Sequence, residues 1–195
     1  MSFPAFEQWC DEVLHPEDTH PWNFRTREFY EEYRAKYAIA KLVQPKSILE
    51  IGVRFGYSAR SFMMAAPDAR YLGIDFDEPS WGPYQGAPRE WAEKRLKFLY
   101  PNNKIQTLKQ DSQVLQSVTD LVEPFDLVHV DADHTYKGAL QDMITFWPAC
   151  KNTMVVDDAM EVRPSIEAFK EKHSGQFVEL EVHSLRGSAL LVRVR

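Results

Sequence analysis

Ile48-Leu49-Glu50-Ile51-Gly52-Val53-Arg54-Phe55-Gly56-Tyr57-Ser58 closes an apolar run in a glycine turn and then opens a helical pattern. The apolar part has the length of a buried strand, and the paired glycines let the chain turn tightly and approach a ligand with no side chain in the way. The spacing is Glu-x-Gly-x-x-x-Gly-x-Ser, not the Gly-x-Gly-x-x-Gly that brings a dinucleotide pyrophosphate to a helix N-terminus.

Outward from this turn the chain alternates strand and helix. Residues 47–53 and 70–75 are short apolar runs separated by a helical stretch with Phe62, Met63 and Ala66, which makes one βαβ unit. Further strands are expected at 104–109, 125–130 and 153–156. Helices are expected around Val114, Leu115, Val118 and Leu121, around Tyr136, Leu140, Met143, Ile144 and Trp147, and around Val162, Ile166 and Phe169. Pro88 suits the first turn of a helix carrying Trp91, Leu96 and Leu99. The repetition predicts an α/β, Rossmann-like, doubly wound parallel sheet. At the end, 178–182 and 190–194 alternate in strand fashion around Arg186-Gly187-Ser188, a connection too short for anything but an antiparallel hairpin, so one C-terminal strand should be reversed.

Upstream, Phe6, Trp9, Cys10, Val13 and Leu14 predict an amphipathic helix ending before Pro16. Phe29, Tyr30, Tyr33, Tyr37 and Ala40 form an aromatic stripe on a second helix from Thr26 to about Val43. A stripe of this kind is core in most proteins. The whole reads as a single domain, with 1–45 a helical cap and 46–195 the cofactor-binding core.

The 195 residues, 44% hydrophobic, suit one globular domain. The net charge of −6 and the lack of a Lys/Arg cluster argue against nucleic acid as a partner. Cys10 and Cys150 have neither metal nor redox spacing, and no apolar run reaches membrane length, so a soluble, cytoplasmic protein is expected, with a homo-oligomer left open.

In open α/β sheets ligands bind beyond the carboxyl ends of the strands, and here those ends are mostly acidic. Glu50 is placed to accept from a cationic amine, Gly52 and Gly56 to admit the ligand, and Ser58 to cap the helix or donate to a carboxylate. Asp75 ends the second strand, where an acid can accept from both ribose hydroxyls, and Asp111-Ser112 ends the third, near an adenine edge. With the glycine spacing, this favours S-adenosylmethionine over NAD.

These residues resemble the class I S-adenosylmethionine-dependent methyltransferases over about 46–195, through Glu50-x-Gly52-x-x-x-Gly56-x-Ser58, Gly73-Ile74-Asp75, Asp111-Ser112 and the reversed strand. The resemblance implies a seven-stranded sheet in the order three, two, one, four, five, seven, six. Arg54 stands where many members have a small residue.

A second acidic group, Asp131-Ala132-Asp133-His134-Thr135-Tyr136, closes the fourth strand, and Asp157-Asp158 closes the fifth. Converging carboxylates raise one another's pKa unless a cation is present, and a hard divalent ion such as Mg²⁺ takes oxygen ligands. His134 is the candidate general base, having an unperturbed pKa near neutrality. The pattern also resembles metal-dependent natural-product O-methyltransferases similar to macrocin O-methyltransferase and to cephalosporin-hydroxylase-like proteins. That resemblance implicates Asp131, Asp157 and Asp158 as Mg²⁺ ligands and implies O-methylation of a small hydroxylated molecule. Many relatives carry Gly where Ala132 stands.

The competing readings are a metal-independent methyltransferase that relies on His134 or Asp131, an aminopropyltransferase-like enzyme, and a noncatalytic S-adenosylmethionine-binding module. Trp22, Trp81, Tyr84 and Trp91 are candidates to shape the acceptor pocket, together with loop 76–87 and the first helix.

Overall fold

A computed structural model of the chain describes residues 2–16, 18, 23–77, 88–115 and 123–194. Helices α1 (Phe6–Glu12) and α2 (Arg27–Val43) lead into β1 (Ser47–Ile51), α3 (Tyr57–Ala65), β2 (Arg70–Asp75), α4 (Pro88–Leu99), β3 (Ile105–Lys109) and β4 (Phe125–Val130). Then come α5 (Tyr136–Phe146), β5 (Cys150–Val156), α6 (Arg163–Lys172), β6 (Phe177–Val182) and β7 (Ser188–Arg193).

The strands form one seven-stranded sheet in the order β3-β2-β1-β4-β5-β7-β6. β7 is antiparallel to both its neighbours, and the other pairings are parallel. Helices cover both faces, so the central strands are apolar on both sides. Along β1, Ile48 joins the layer under α3 and α4 with Phe62, Met63 and Leu96, whereas Leu49 and Ile51 join the layer under α5 and α6 with Met143, Phe146 and Phe169. β4 divides in the same way, Leu127 to one layer and Val128 and Val130 to the other.

Helix α2 begins at Thr26, whose hydroxyl accepts from the Phe29 N–H, and ends at Gln44 in a left-handed conformation just before Pro45. A third apolar cluster joins Trp9 of α1, Tyr30 and Tyr33 of α2, and Phe55, Tyr57 and Met64 beside the glycine turn. Trp9 stacks on Tyr33 at a centroid distance of 5.0 Å. The cap helices thus share an aromatic core with the turn.

Some boundaries differ from the pattern reading. α1 stops at Glu12, leaving Val13 and Leu14 buried in the following turn. β1 stops at Ile51 because Gly52 turns the chain, and β5 starts earlier, at Cys150. Val114 lies in a single 3₁₀ turn, Ser112–Val114, capped by Asp111. Val118 and Leu121 of the expected helix lie outside the described residues, as do 78–87 of the expected loop together with Trp22, Trp81 and Tyr84. Among the described residues no helix is long and apolar enough to cross a membrane.

Candidate functional site

The carboxyl ends of the central strands are stitched to one another. Asp131 N–H donates to the Ile51 carbonyl at 2.8 Å, and Asp157 N–H donates to the Val130 carbonyl at 3.0 Å. Asp131 and Asp157 therefore start one step beyond the sheet edge, next to the glycine turn. β1 lies between β2 and β4, where the strand order reverses, which is the place an open α/β sheet offers a ligand.

Gly52 makes that closeness feasible. Its φ is +89°, and a Cβ there would stand 2.0 Å from the Asp131 carbonyl oxygen. Gly56, with φ +69°, precedes α3, and Ser58 is buried in the first turn of that helix. Asp75 Oδ2 accepts from the N–H groups of Val53 and Arg54, each at 2.7 Å, so the end of β2 holds the glycine turn in place. The Arg54 guanidinium reaches away to the cap side and pairs with Asp18 at 2.5 Å, while the Tyr57 hydroxyl donates to the same carboxylate at 2.9 Å.

Asp75→Ala frees two N–H groups of the turn and removes a strand-end acid. It should weaken S-adenosylhomocysteine binding about 10- to 100-fold by calorimetry, as expected for loss of charge-assisted hydrogen bonds. An unchanged affinity would separate Asp75 from the donor site.

At the end of β3, Asp111 Oδ1 accepts from the Gln113 N–H at 2.9 Å, and Ser112 is buried. Gln113 Nε2 donates to Asp142 of α5 at 2.8 Å. Asp142 is fully buried, and burial pushes its carboxyl up to about 7, with the charges of Asp133 and Asp111 acting in the same direction. Because this folded value lies above the unfolded one, the folded chain holds a proton the unfolded chain has released, and stability falls as pH rises through about 7. Asp142→Asn removes that penalty. Its Tm should exceed the wild type's at pH 8.5 and match it near pH 4; a constant gap would rule out Asp142 as the titrating group.

Glu50 is placed differently from the expectation of an acid open to an amine. It is fully buried, its Oε2 accepting from the Tyr71 hydroxyl and its Oε1 lying 3.0 Å from His129 Nδ1. Gly73 makes room for that hydroxyl, since a Cβ there would meet the Tyr71 oxygen at 2.8 Å. Both oxygens of Glu50 are thus engaged inside the sheet. His129, which carries the link onward, lies 4.0 Å through Nε2 from Asp157 Oδ2.

The second acidic group does converge. His134 bridges two strand ends, with Nε2 3.3 Å from Asp131 Oδ1 and Nδ1 3.0 Å from Asp158 Oδ2. Burial works against its protonation, but the hydrogen bonds to Asp131 and Asp158 prevail and lift its pKa to about 10. A proton is therefore held more tightly on His134 than on a free imidazole. Asp131 moves upward from the usual carboxylate range, chiefly by burial and then by the charge of Asp157. Asp157 is held well below that range: burial alone would raise it, but Lys36, His129 and Arg186 together outweigh burial.

Lys36 and its partners come from elements the motif reading treated as core and turn. Lys36 of α2 is almost completely buried, its Nζ 2.6 Å from Asp157 Oδ2 and 3.3 Å from Glu32 Oε1. Arg186, in the β6–β7 connection, places Nη1 2.6 Å from Asp158 Oδ2 and Nη2 3.1 Å from the same Glu32 oxygen. Ser188 Oγ donates to Asp157 Oδ1 at 2.9 Å.

Among the described residues, three overlapping trios have potential ligand atoms within 4.8 Å of one another: His129, Asp131 and Asp157; Asp131, His134 and Asp158; Glu32, Asp157 and Asp158. The expected set of Asp131, Asp157 and Asp158 is spread across them. A hard divalent ion needs about six oxygens near 2.1 Å. The oxygens that Asp157 and Asp158 turn toward Lys36 and Arg186 already serve those cations, each at 2.6 Å. In this arrangement the donor set does not fit Mg²⁺.

A family model described as a methyltransferase domain matches residues 49–159. Solved structures share the architecture at low identity. The O-methyltransferase from Bacillus cereus in complex with SAH is 15% identical, with a TM-score of 0.63 over 99% of this chain and 98% of that one. Cofactor-bound Rv0187 from MTB is 18% identical, with a TM-score of 0.67 over 99% and 98%. The O-methyltransferase TomG from Streptomyces achromogenes, involved in tomaymycin synthesis and solved with SAM, is 20% identical, with a TM-score of 0.63 over 85% and 81%.

Proposed function

Because this chain belongs to the methyltransferase domain family and is thereby an S-adenosylmethionine-dependent methyltransferase, we propose that it methylates a hydroxyl of a small molecule at the Asp131–His134 corner. The observation that carries this reading is the Asp131 carboxylate, held 3.3 Å from His134 Nε2 and set directly beside the glycine turn. Glu50, within the sheet, takes the role of orienting His129 rather than receiving the donor's amine.

The donor supplies an electrophilic methyl on a sulfonium. As the acceptor oxygen bonds to that carbon, the carbon–sulfur bond breaks and its electron pair returns to sulfur, leaving the hydroxyl proton for the protein to take. Asp131 accepts it in this reading. Its raised affinity for protons brings it nearer neutrality than an ordinary carboxylate, and His134, pinned between Asp131 and Asp158, keeps it oriented. Asp75 holds the turn, and Ser58, Asp111 and Ser112 line the remaining strand-end edge for the donor's carboxylate and adenine. Alignment supplies much of the rate in a displacement of this kind.

The magnesium implied by the sequence resemblance has no part in this scheme, since Lys36 and Arg186 hold the carboxylates that would bind it. We also take 1–45 as part of the same domain as 46–195. Its support is the cluster joining Trp9 and Tyr33 to Phe55 and Tyr57, with Lys36 entering the acidic pocket.

The test is incubation of the full chain with methyl-deuterated S-adenosylmethionine and a panel of phenols, catechols and sugars, read by product mass. A deuterated methyl ether is the expected product. Transfer to nitrogen only, transfer of an aminopropyl group, or donor binding without turnover across the panel would refute the reading.

A further inference from the structure

We propose that the Lys36 ammonium, supported by the Arg186 guanidinium, is the built-in cation of the acidic pocket, so that the enzyme operates without a divalent ion. The inference builds on the reading of this pocket as the reaction site and adds what neutralises it.

The geometry supports a dedicated position for Lys36. An ammonium taken out of water is costly unless closely paired, and Lys36 is buried to 1% exposure between Asp157 and Glu32, the latter one helical turn earlier on the same helix. It cannot withdraw easily. Helix α2 is capped at Thr26 and clamped by its aromatic stripe against Trp9 and Tyr57, and the Lys36 Nζ lies 5.0 Å from the centroid of the Tyr33 ring. Glu32 Oε1 faces both Lys36 and Arg186, so one carboxylate holds the two cations in register with Asp157 and Asp158.

The matched family segment, 49–159, contains the acids but neither Glu32, Lys36 nor Arg186. Asp131, His134, Asp157 and Asp158 thus lie within the matched segment, and Glu32, Lys36 and Arg186 lie on either side of it. A divalent ion and the ammonium would compete for the same oxygen, Asp157 Oδ2. With Lys36 in place, the ion would have to share that oxygen with a buried ammonium 2.6 Å from it.

The experiment is a Mn²⁺ titration of the full-length protein, followed by electron paramagnetic resonance, on the wild type, Lys36→Met and Lys36→Arg. S-adenosylhomocysteine binding measured in parallel establishes which variants are folded. The wild type and Lys36→Arg are expected to bind no Mn²⁺ at this site up to about 1 mM. Lys36→Met should gain a single Mn²⁺ with affinity at least about a hundredfold higher, and adding Asp157→Asn should abolish it.

Mn²⁺ binding by the wild type that disappears in Asp157→Asn would overturn the proposal. So would a Lys36→Met protein that keeps S-adenosylhomocysteine binding and gains no Mn²⁺. If Lys36→Met does not fold, the wild-type titration decides alone. Because the readout is metal binding, an inactive acceptor panel would refute the methyl-transfer reading and leave this result standing.

Discussion

Asp131→Asn is expected to lower kcat for methyl transfer by roughly a thousandfold, the usual loss when a positioned proton acceptor is removed. The amide keeps the shape of the carboxylate, so the site stays assembled while the proton loses its destination. The largest effect on Asp131 is its own burial, which raises its pKa, and the neighbouring Asp157 charge adds to this. A neutral amide in its place would have neither the charge to attract a proton nor the strength to hold His134 as an imidazolium. S-adenosylhomocysteine affinity should move far less than kcat. A kcat loss below about tenfold would assign the proton to another group.

Gly52→Ala is expected to be the most destabilising single-methyl change among the described glycines. A Cβ at this position would meet three main-chain atoms at once: the Asp131 carbonyl oxygen at 2.0 Å, its carbon at 2.6 Å and the Ala132 nitrogen at 2.9 Å. None is the loose end of a side chain, so relief requires β1 and β4 to part. The φ of +89° adds strain of about 1–3 kcal/mol for a residue with a Cβ, and overpacking adds a similar amount. A combined loss of about 3–5 kcal/mol is a large part of a typical domain's 5–15 kcal/mol. The urea midpoint should fall by about 2 M, and an unchanged midpoint would contradict the close approach of the two strand ends.

The sheet was legible because its information is local. Apolar runs bounded by glycine, proline and acidic residues mark the strands, and the short Arg186-Gly187-Ser188 link leaves only a hairpin. The order of the strands came with the family resemblance, because spacing alone cannot say which strand lies beside which. The acids at the strand ends were legible for the same local reason, each standing where an apolar run stops.

The groups that answer those acids were not. Glu32 and Lys36 lie among the buried positions of α2 with Phe29, Tyr33 and Ala40, and a charged i,i+4 pair inside an aromatic stripe was the one signal of a buried ionic contact. His129 sits inside an apolar strand, and its tie to Glu50 spans 79 residues of chain. Arg186 read as a turn residue, and its partner Glu32 is 154 residues away. Pairings over such distances leave no trace in periodicity. His134 was recognised, but its charge state depends on Asp131 and Asp158 facing it from two different strands.

The bond between Arg186 and Glu32 also carries a lesson for anyone handling the protein. A protease nick beside Arg186 in the β6–β7 connection would loosen the guanidinium from Asp158 and Glu32. With β7 still paired to β5 and Ala189, Leu190 and Leu191 still buried, the nicked protein would keep its sheet while the acidic corner lost the hold of one cation. An intact melting curve would therefore not certify an intact acidic corner.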